Sequence, residues 1–492
     1  MVTITRRLAH QLRAVMRRTL GARGTGPAVC LLTGPDGLRA RARSTDAAVE
    51  YHDPDTVGTG ETLWLPFQFL ADCEGKKDDP VPIERTGKGR VTAQWRDGSV
   101  PQIVQYTIDK PTHADEFPQP PDNFAENPPG LLASLTAAAD TCDPDSVRYS
   151  LGCIQLRGEH GTVVATDGRQ LLIQNGFQFP WTGDLLVPRS KVFASAELPH
   201  NQPVRVGKTE TWVAIGVAPW TIYLAINKDG RFPDVCRHIP SAAAAQAHCL
   251  FSAADAAFLA ETLPKLPCDD DYNRPVTLDL NGQVVVRARG TDDPRTTDVV
   301  LTSSSCTGEP LRVNINRDFL ARMMRLGLWE LSITNDKSAI LSLGAQRQYV
   351  WMPLDPESAI RPADDAIRIE SPAATVSNPI PQSKEKRRIP PVTETSTNTN
   401  GNGHASNNAA ASPNGHAKTN GRAKLNGEAR RTKASQQDIA ALIEQAETLR
   451  TALRENLVKT NDLVKALKRH RRQGRIVANT LASLRQIKTL GV

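Results

Sequence analysis

Apolar and polar residues follow strand-like patterns through most of the first 354 positions of the chain. The clearest stretch is VRVGKTETWVAIGVAPWTIYLAI at 204–226, where β-branched and aromatic runs are separated by Lys-Thr-Glu and Ala-Pro turns. Runs of this composition, bounded by turn residues, predict an antiparallel meander. Strands are therefore expected to dominate this part of the chain.

Helical spacing interrupts the strand pattern at a few places. Leu8, Leu12, Val15 and Leu20 lie on one apolar face and predict a first helix, although the acid-free, arginine-rich start also matches a transit peptide. Further helices are expected near 128–141, 188–197, 252–263 and 316–327. Helices segregated from antiparallel sheets define an α+β fold.

Three landmarks recur in the same order along this region. A Thr-Asp pair near the end of a strand-like run is followed by an apolar strand end that opens a helix. A proline in an extended segment then closes the unit, at Pro118, Pro233 and Pro353. Their regular spacing predicts a domain of about 120 residues present in three copies. The predicted copies span 1–124, 125–243 and 244–355.

The composition changes after these copies. Residues 356–434 are rich in Pro, Ser, Thr, Asn and Gly, which predicts a disordered linker. Residues 435–490 show a heptad pattern with Asn456 at an a position, followed by the basic run KALKRHRRQGR. Three interpretations remain open for this segment: a coiled coil with itself or a partner, a basic helix on nucleic acid, or a helix docked on the body.

Charge is distributed unevenly between these regions. The net charge is +7, yet residues 421–492 hold 16 lysines and arginines against 6 acids, which leaves 44 basic and 47 acidic residues elsewhere. Any nucleic-acid contact by the body must therefore come from a local basic surface. The eight cysteines form no Cys-x-x-Cys pair, which indicates reduced cytoplasmic thiols, and no apolar run of 18 residues predicts a membrane span.

The segment TVVATDGRQLLIQ at 162–174 raises the question of catalysis, because it exposes a carboxylate between two apolar runs. No second titratable group is placed to converge on Asp167, as catalysis would require. An Asp-Gly pair between strands predicts a hairpin turn instead. A metal-dependent nuclease built on residues 268–271 is disfavoured, since consecutive acids point in different directions. We therefore predict a protein that is not an enzyme and needs no cofactor.

Four segments carry a family resemblance: VRYSLGCIQL (147–156), TVVATDGRQLLIQ, DGRFPDVCRHIP (229–240) and YVWMPL (349–354). In this order and spacing the chain resembles the bacterial sliding clamp, the β subunit of DNA polymerase III, over about residues 1–354. The resemblance is thin in the first copy and absent from 355–492. It departs from the family at Arg169-Gln170, where His-Arg is usual, and at Val235, where Tyr is usual.

The resemblance implies a ring of two chains joined head to tail around duplex DNA, loaded by an ATP-driven clamp loader. Helices would line the hole, and their cations would touch phosphates without reading bases. The candidate DNA-binding residues are Arg17, Arg18, Arg23, Arg148, Tyr149, Arg189, Lys191, Arg317, Arg322 and Arg325. Any one of these cations could equally be a solvated helix charge.

The resemblance also implies an apolar pocket, between the second and third copies, for peptides of DNA polymerases and repair proteins. Its candidate residues are Leu151, Thr166, Gly168, Arg169, Gln170, Leu171, Pro233, Arg237, His238, Val350, Trp351, Met352, Pro353 and Leu354. The alternative for Leu151, Val350 and Met352 is a place in the core. A non-ring scaffold of the same fold is the alternative to the clamp, because the first copy matches the family least.

Overall fold

The computed structural model describes residues 1–21, 26–87, 89–107, 116–143, 150–290 and 295–372. Arg23, Arg148 and Tyr149 lie outside the described residues. So do the helix predicted at 435–490 and most of the predicted linker. Within the described ranges, no helix is long and apolar enough to cross a membrane.

The first copy consists of two antiparallel four-stranded sheets. One is ordered β1 (Val2–Thr5), β6 (Pro80–Gly87), β7 (Arg90–Asp97), β8 (Val100–Thr107). The other is ordered β5 (Thr62–Leu65), β2 (Val29–Gly34), β3 (Gly37–Arg43), β4 (Ala47–Asp53).

The second copy repeats this arrangement. Its strands are ordered β13 (Asp184–Pro188), β10 (Cys153–Arg157), β11 (Thr162–Thr166), β12 (Gln170–Gln174), and β9 (Phe124–Asn127), β14 (Val204–Lys208), β15 (Trp212–Val217), β16 (Trp220–Ala225). The predicted meander at 204–226 is confirmed as β14–β16. The predicted limit at 124/125 falls inside β9.

The third copy repeats it again, with one strand added to each sheet. The first is ordered β25 (Arg347–Trp351), β24 (Ile340–Leu343), β23 (Glu330–Ile333), β17 (Ala247–Leu250), β21 (Ser305–Gly308). The second is ordered β22 (Leu311–Asn316), β18 (Pro275–Asn281), β19 (Gln283–Ala288), β20 (Thr297–Leu301), β26 (Ile367–Glu370). The α+β fold of three tandem copies is therefore confirmed.

Neighbouring copies share continuous sheets. Strand β4 of the first copy pairs antiparallel with β16 of the second, and β12 of the second pairs antiparallel with β25 of the third. The first junction forms an eight-stranded sheet and the second a nine-stranded sheet, and each removes two unpaired edges. Backbone hydrogen bonds therefore hold the three copies together in a fixed order.

The described part of the chain has five α-helices: α1 (Arg6–Leu20), α2 (Gln68–Cys73), α3 (Gly130–Thr141), α4 (Ala253–Thr262) and α5 (Arg317–Arg325). In α1, the Thr5 hydroxyl accepts the Leu8 amide hydrogen at 3.1 Å, which satisfies one of the unpaired donors of the first turn. Leu12 and Val15 are fully buried, each stabilising the fold by roughly 1.5–3 kcal/mol. The helix ends at Gly21, which adopts the left-handed conformation.

The prediction of a helix at 188–197 is wrong. Only a short 3₁₀ turn, Val192–Ala194, follows β13. The Ser190 hydroxyl accepts the Val192 amide hydrogen, and the Ser195 amide bonds the Val192 carbonyl at 2.8 Å. Serine hydroxyls and tight i→i+3 bonds satisfy the backbone here in place of helical bonds.

The predicted linker does not begin at 356. Residues 356–372 are ordered, with a 3₁₀ turn at Pro356–Ser358 and strand β26 on the edge of the last sheet. The sequence Ile-Arg-Ile-Glu of β26 alternates apolar and charged residues, which is a strand pattern. Because Pro and Asp residues surround this short run, the composition of the whole segment predicted a linker and did not indicate the strand.

Candidate nucleic-acid interface and peptide groove

The helical elements of neighbouring copies contact one another. Between the first and second copies, His10 of α1 lies 4.0 Å from Glu197. Between the second and third, Arg322 of α5 donates a hydrogen bond to the Asp140 carbonyl of α3 at 2.9 Å. We call this continuous surface of helices and the 3₁₀ turn the helical side.

Each copy contributes an exposed cation to the helical side. Arg17 and Arg18 extend from the last turn of α1, Lys191 immediately precedes the 3₁₀ turn, and Arg325 ends α5. Arg17, Arg18 and Lys191 make no ion pair or hydrogen bond with another residue in the described part of the chain. Cations that are exposed in this way can exchange among phosphates without losing internal contacts.

Arg317 is not available to DNA, so its assignment is corrected. The side chain is completely buried. Its guanidinium donates to five backbone carbonyls, including Leu266 at 2.5 Å, Pro267 at 2.7 Å and Pro275 at 3.0 Å. Burial lowers the pKa of the guanidinium from its ordinary value. Arg317 therefore ties the start of α5 to the loop that follows α4.

Arg189 and Arg322 are also held by internal contacts, both at the C-terminal end of α3. Arg189 donates to the carbonyls of Ala139 and Cys142, at 3.3 and 3.4 Å. Arg322 donates to the carbonyls of Ala137 and Asp140 and, at 2.8 Å, to the Thr141 hydroxyl. Cations at this end of a helix offset its partial negative charge. Arg189 therefore stabilises the end of α3 within the second copy, whereas Arg322 joins the third copy to the second. Both side chains are half-buried, and their assignment as phosphate contacts stays a prediction.

Asp167 makes a turn, as its sequence context predicts. Its Oδ1 accepts the amide hydrogens of Arg169 and Gln170, both at 2.8 Å, and Gly168 has a φ of 87° that other residues rarely adopt. The turn joins β11 to β12. The carboxylate thus stabilises a hairpin turn.

The acidic run at 268–271 also forms a turn. Asp270 accepts the amide hydrogens of Tyr272 and Asn273, each at 2.9 Å, and the Asn273 bond lowers the pKa of this carboxyl below its usual value. No group of His, Cys, Asp or Glu in the described ranges has the arrangement of a metal site.

A second surface lies on the face of the β12–β25 junction opposite the third-copy core. Its apolar floor is a cluster of buried residues from four strands and a covering loop. The members are Val164, Leu171, Ile173, Val235, Leu341 and Val350, with Phe232 and Ile239 packed against them. The cluster is buried beneath this covering loop, and we call the cluster and its exposed rim the outer groove.

The structure brings several predicted pocket residues to the outer groove. Leu171 and Val350 are directly paired across the junction and belong to the floor. Met352 is 48% exposed at the rim, and its amide donates to the Arg169 carbonyl at 3.0 Å. Leu151, Pro233, Pro353 and Leu354 are half-buried, and Gly168, Arg237 and His238 are exposed.

Three predicted pocket residues point elsewhere. Trp351 is buried in the core of the third copy beside Tyr349, because successive side chains of β25 face opposite sides of the sheet. The Tyr349 hydroxyl donates to the carboxamide oxygen of Gln170, and the Thr166 hydroxyl donates to the Gln170 backbone carbonyl at 2.6 Å. Trp351, Gln170 and Thr166 are therefore structural residues, and their assignment to the pocket wall is corrected.

Arg169 connects the two copies across this junction. Its guanidinium donates to Asn273 Oδ1 at 3.0 Å and lies over the Tyr272 ring, 5.0 Å from its centroid. It also lies 5.7 Å from the centroid of Phe319. A cation between two aromatic faces is stabilised by their quadrupoles. These partners come from the third copy, more than a hundred residues along the chain, and sequence reasoning did not find them.

The sequence analysis also missed part of the groove floor. Ile173 shares a face with Leu171 because they are two residues apart on one strand, and this alternation was a usable signal. Val235 and Phe232 come from the connection between copies, where no periodic pattern marks their direction.

Searches of sequence-family models and of curated proteins find no match to this chain. Solved structures do match. The DNA polymerase III subunit beta from Pseudomonas aeruginosa is 18% identical, with a TM-score of 0.59 over 72% of this chain and 99% of that one. The DNA polymerase sliding clamp from Bacillus subtilis is 15% identical, with a TM-score of 0.59 over 72% and 98%.

A third similar structure is the DNA polymerase III beta chain from Streptococcus pneumoniae, 14% identical over 72% of this chain and 99% of that one, with a TM-score of 0.59. All three matched proteins are covered almost completely, so the likeness spans every copy of the repeated domain. The described body of this chain has the fold of the bacterial sliding clamp, the β subunit of DNA polymerase III.

Proposed function

We propose that the protein is a non-catalytic sliding clamp that surrounds duplex DNA with its helical side and tethers DNA polymerase or repair proteins through the outer groove. The observation that carries the proposal is the presence of exposed cations on the helical side in all three copies, within a body that is not basic overall. A clamp that slides needs such mobile phosphate contacts and has no use for base-specific ones. Tethering would raise the effective concentration of the partner at the template.

This proposal predicts a steep salt dependence of DNA binding. If four phosphates are contacted, the affinity for linear duplex DNA should fall roughly a hundredfold between about 50 and 200 mM salt. Fluorescence anisotropy with a labelled duplex would measure it, and duplexes of unrelated sequence should bind alike. A flat salt response, or strong preference for one sequence, would contradict a sliding role.

The outer groove should lose peptide binding when its rim is charged. Met352→Asp places a carboxylate beside an apolar floor, which should weaken binding of a clamp-binding peptide by about tenfold or more. Met352 is exposed, so the substitution should leave folding intact. Titration calorimetry checks the affinity, and Lys337→Asp on the β23–β24 hairpin is a matched exposed control. Wild-type affinity in the Met352 variant would refute the assignment.

A second candidate function is a non-ring scaffold that uses the same groove. One observation favours it: the edge of β20 in the last sheet is already occupied by β26. Closing a ring requires a free edge at each end of the chain. Whether the β20 edge is covered or available for pairing with another chain therefore distinguishes the non-ring scaffold from the sliding clamp.

A further inference from the structure

The internal repeat defines which strand of each copy joins the next. Strand β4 ends the sheet order β5-β2-β3-β4 and pairs with the following copy, and β12 ends the order β13-β10-β11-β12 in the same way. Strand β20 holds the equivalent position in the order β22-β18-β19-β20. The repeat therefore assigns β20 as the third outgoing edge.

The strand that accepts the preceding copy's outgoing edge, here called the receiving strand, also has the same position in each copy. Strand β16 ends the order β9-β14-β15-β16, and β25 ends β17-β23-β24-β25. In the first copy, β8 ends the order β1-β6-β7-β8 and pairs only with β7 in the described part of the chain. Ile103 and Val100 of β8 are 67% and 55% exposed. Strand β8 is thus a receiving edge that pairs with no outgoing strand among the residues that the structure describes.

A segment beyond the third copy covers the outgoing edge instead. The Ile367 amide bonds the Thr296 carbonyl at 2.8 Å, and the Ser371 amide bonds the Val300 carbonyl at 2.9 Å. Thr302 and the buried Ser371 exchange further hydrogen bonds, with the Thr302 amide 2.9 Å from the Ser371 hydroxyl. These contacts use the backbone groups that another chain would need.

This cover differs from the two internal junctions. Strand β26 runs parallel to β20, whereas β4–β16 and β12–β25 are antiparallel. It is only four residues long, and Ile367 and Ile369 remain 39% and 36% exposed. Parallel pairing is slightly weaker per residue, and little apolar area is buried. A longer antiparallel strand would therefore bind the same edge more tightly than β26 does.

We infer that β26 is a removable cap on a self-association edge, and that its competitor for β20 is β8 of a second copy of this chain. While β26 is in place, chains do not join through these edges; once it leaves, β20 pairs antiparallel with the partner's β8. The repeat and the pairing of β26 with β20 support this role independently of DNA binding. It makes ring closure conditional on the segment that leads into the tail.

The test uses a proline in the cap of the full-length chain. Ile369 has the same phase along β26 as Ile367 and Ser371, whose amides bond β20, so Ile369→Pro removes a pairing donor. Arg368→Pro is the matched control, because its amide has the opposite phase and points away from β20. The uncapped variant should dimerise with a dissociation constant lower by roughly tenfold or more than that of the control.

The readout must be specific for the edges, since the predicted heptad of the tail can pair chains by itself. Hydrogen exchange of β8 amides should slow with protein concentration in Ile369→Pro and not in the wild type or Arg368→Pro. Pro101 already lies within β8 without breaking its pairing to β7, so Ile103→Pro at the same phase should block only the outer edge. Combined with Ile369→Pro, it should abolish both the protection and the added dimerisation seen by sedimentation.

Three outcomes would overturn the inference. The first is concentration-dependent protection of β8 in the wild type equal to that in Ile369→Pro. The second is dimerisation that persists when Ile103→Pro is added. The third is a lack of exchange protection at the β8 amides of Ile369→Pro. Faster exchange of the β20 amides would show in the same experiment that the cap has been lost. If Ile369→Pro leaves β20 protected, deleting 363–372 within the full chain removes the cap outright, and the same criteria then apply.

Discussion

Removal of four exposed cations of the helical side is expected to weaken binding of the full chain to duplex DNA by roughly a hundredfold or more at low salt. The variant carries glutamine at Arg17, Arg18, Lys191 and Arg325. Each phosphate contact that is lost should reduce the slope of log affinity against log salt by about 0.9, so the slope should flatten by about 3.6. Anisotropy titrations at several salt concentrations give both quantities.

The basic tail makes the control essential for this experiment. Residues 421–492 hold 16 lysines and arginines, so wild type and variant must both carry the tail and only their difference counts. The matched control replaces Lys208 and Lys337, two exposed lysines of sheet hairpins, with glutamine. Their loss should change the slope little, because they lie away from the helical side. An equal loss per charge removed in both proteins would point to nonspecific charge and contradict a DNA-facing helical side.

Arg317→Ala is expected to lower the free energy of unfolding of the third copy by about 3 kcal/mol or more. The substitution deprives five backbone carbonyls of a charged donor and leaves a cavity where the side chain is completely buried. Calorimetric or urea unfolding would measure the loss. Arg325→Ala on the same helix is the control, since Arg325 is exposed and should cost less than about 0.5 kcal/mol.

Arg317→Ala and Arg325→Ala should have opposite effects on stability and on DNA binding. At temperatures where Arg317→Ala remains folded, it should bind DNA like the wild type, whereas Arg325→Ala should bind more weakly without losing stability. If Arg317→Ala instead flattened the salt slope at full stability, the buried position of this guanidinium would be wrong.

Much of the fold follows from local sequence. The Asp167-Gly168 hairpin, the first helix and the meander at 204–226 depend on residues within a few positions of one another, because turn conformation and apolar periodicity are local properties. The three copies were predictable for a related reason, since repeated landmarks report repeated structure without any knowledge of contacts. These features needed no tertiary information.

Only the tertiary structure determines whether an individual side chain is buried or exposed. Arg317 and Arg325 look alike on one predicted helix, yet one is buried by a loop from another part of the third copy and the other is exposed. Trp351 turned inward because of its register against β12, which the sequence of β25 alone does not set.

The same holds for the candidate sites and for the edge of the last sheet. The local pattern of Ile-Arg-Ile-Glu fits a strand, but only pairing with β20 tells that this strand covers the edge that the repeat leaves open. Sequence by itself determined which elements form and how often they recur, since these depend on neighbours in the chain. Which cations stay free, which apolar residues line the groove and which edge is covered depend on contacts between distant residues, and only the folded structure decided them.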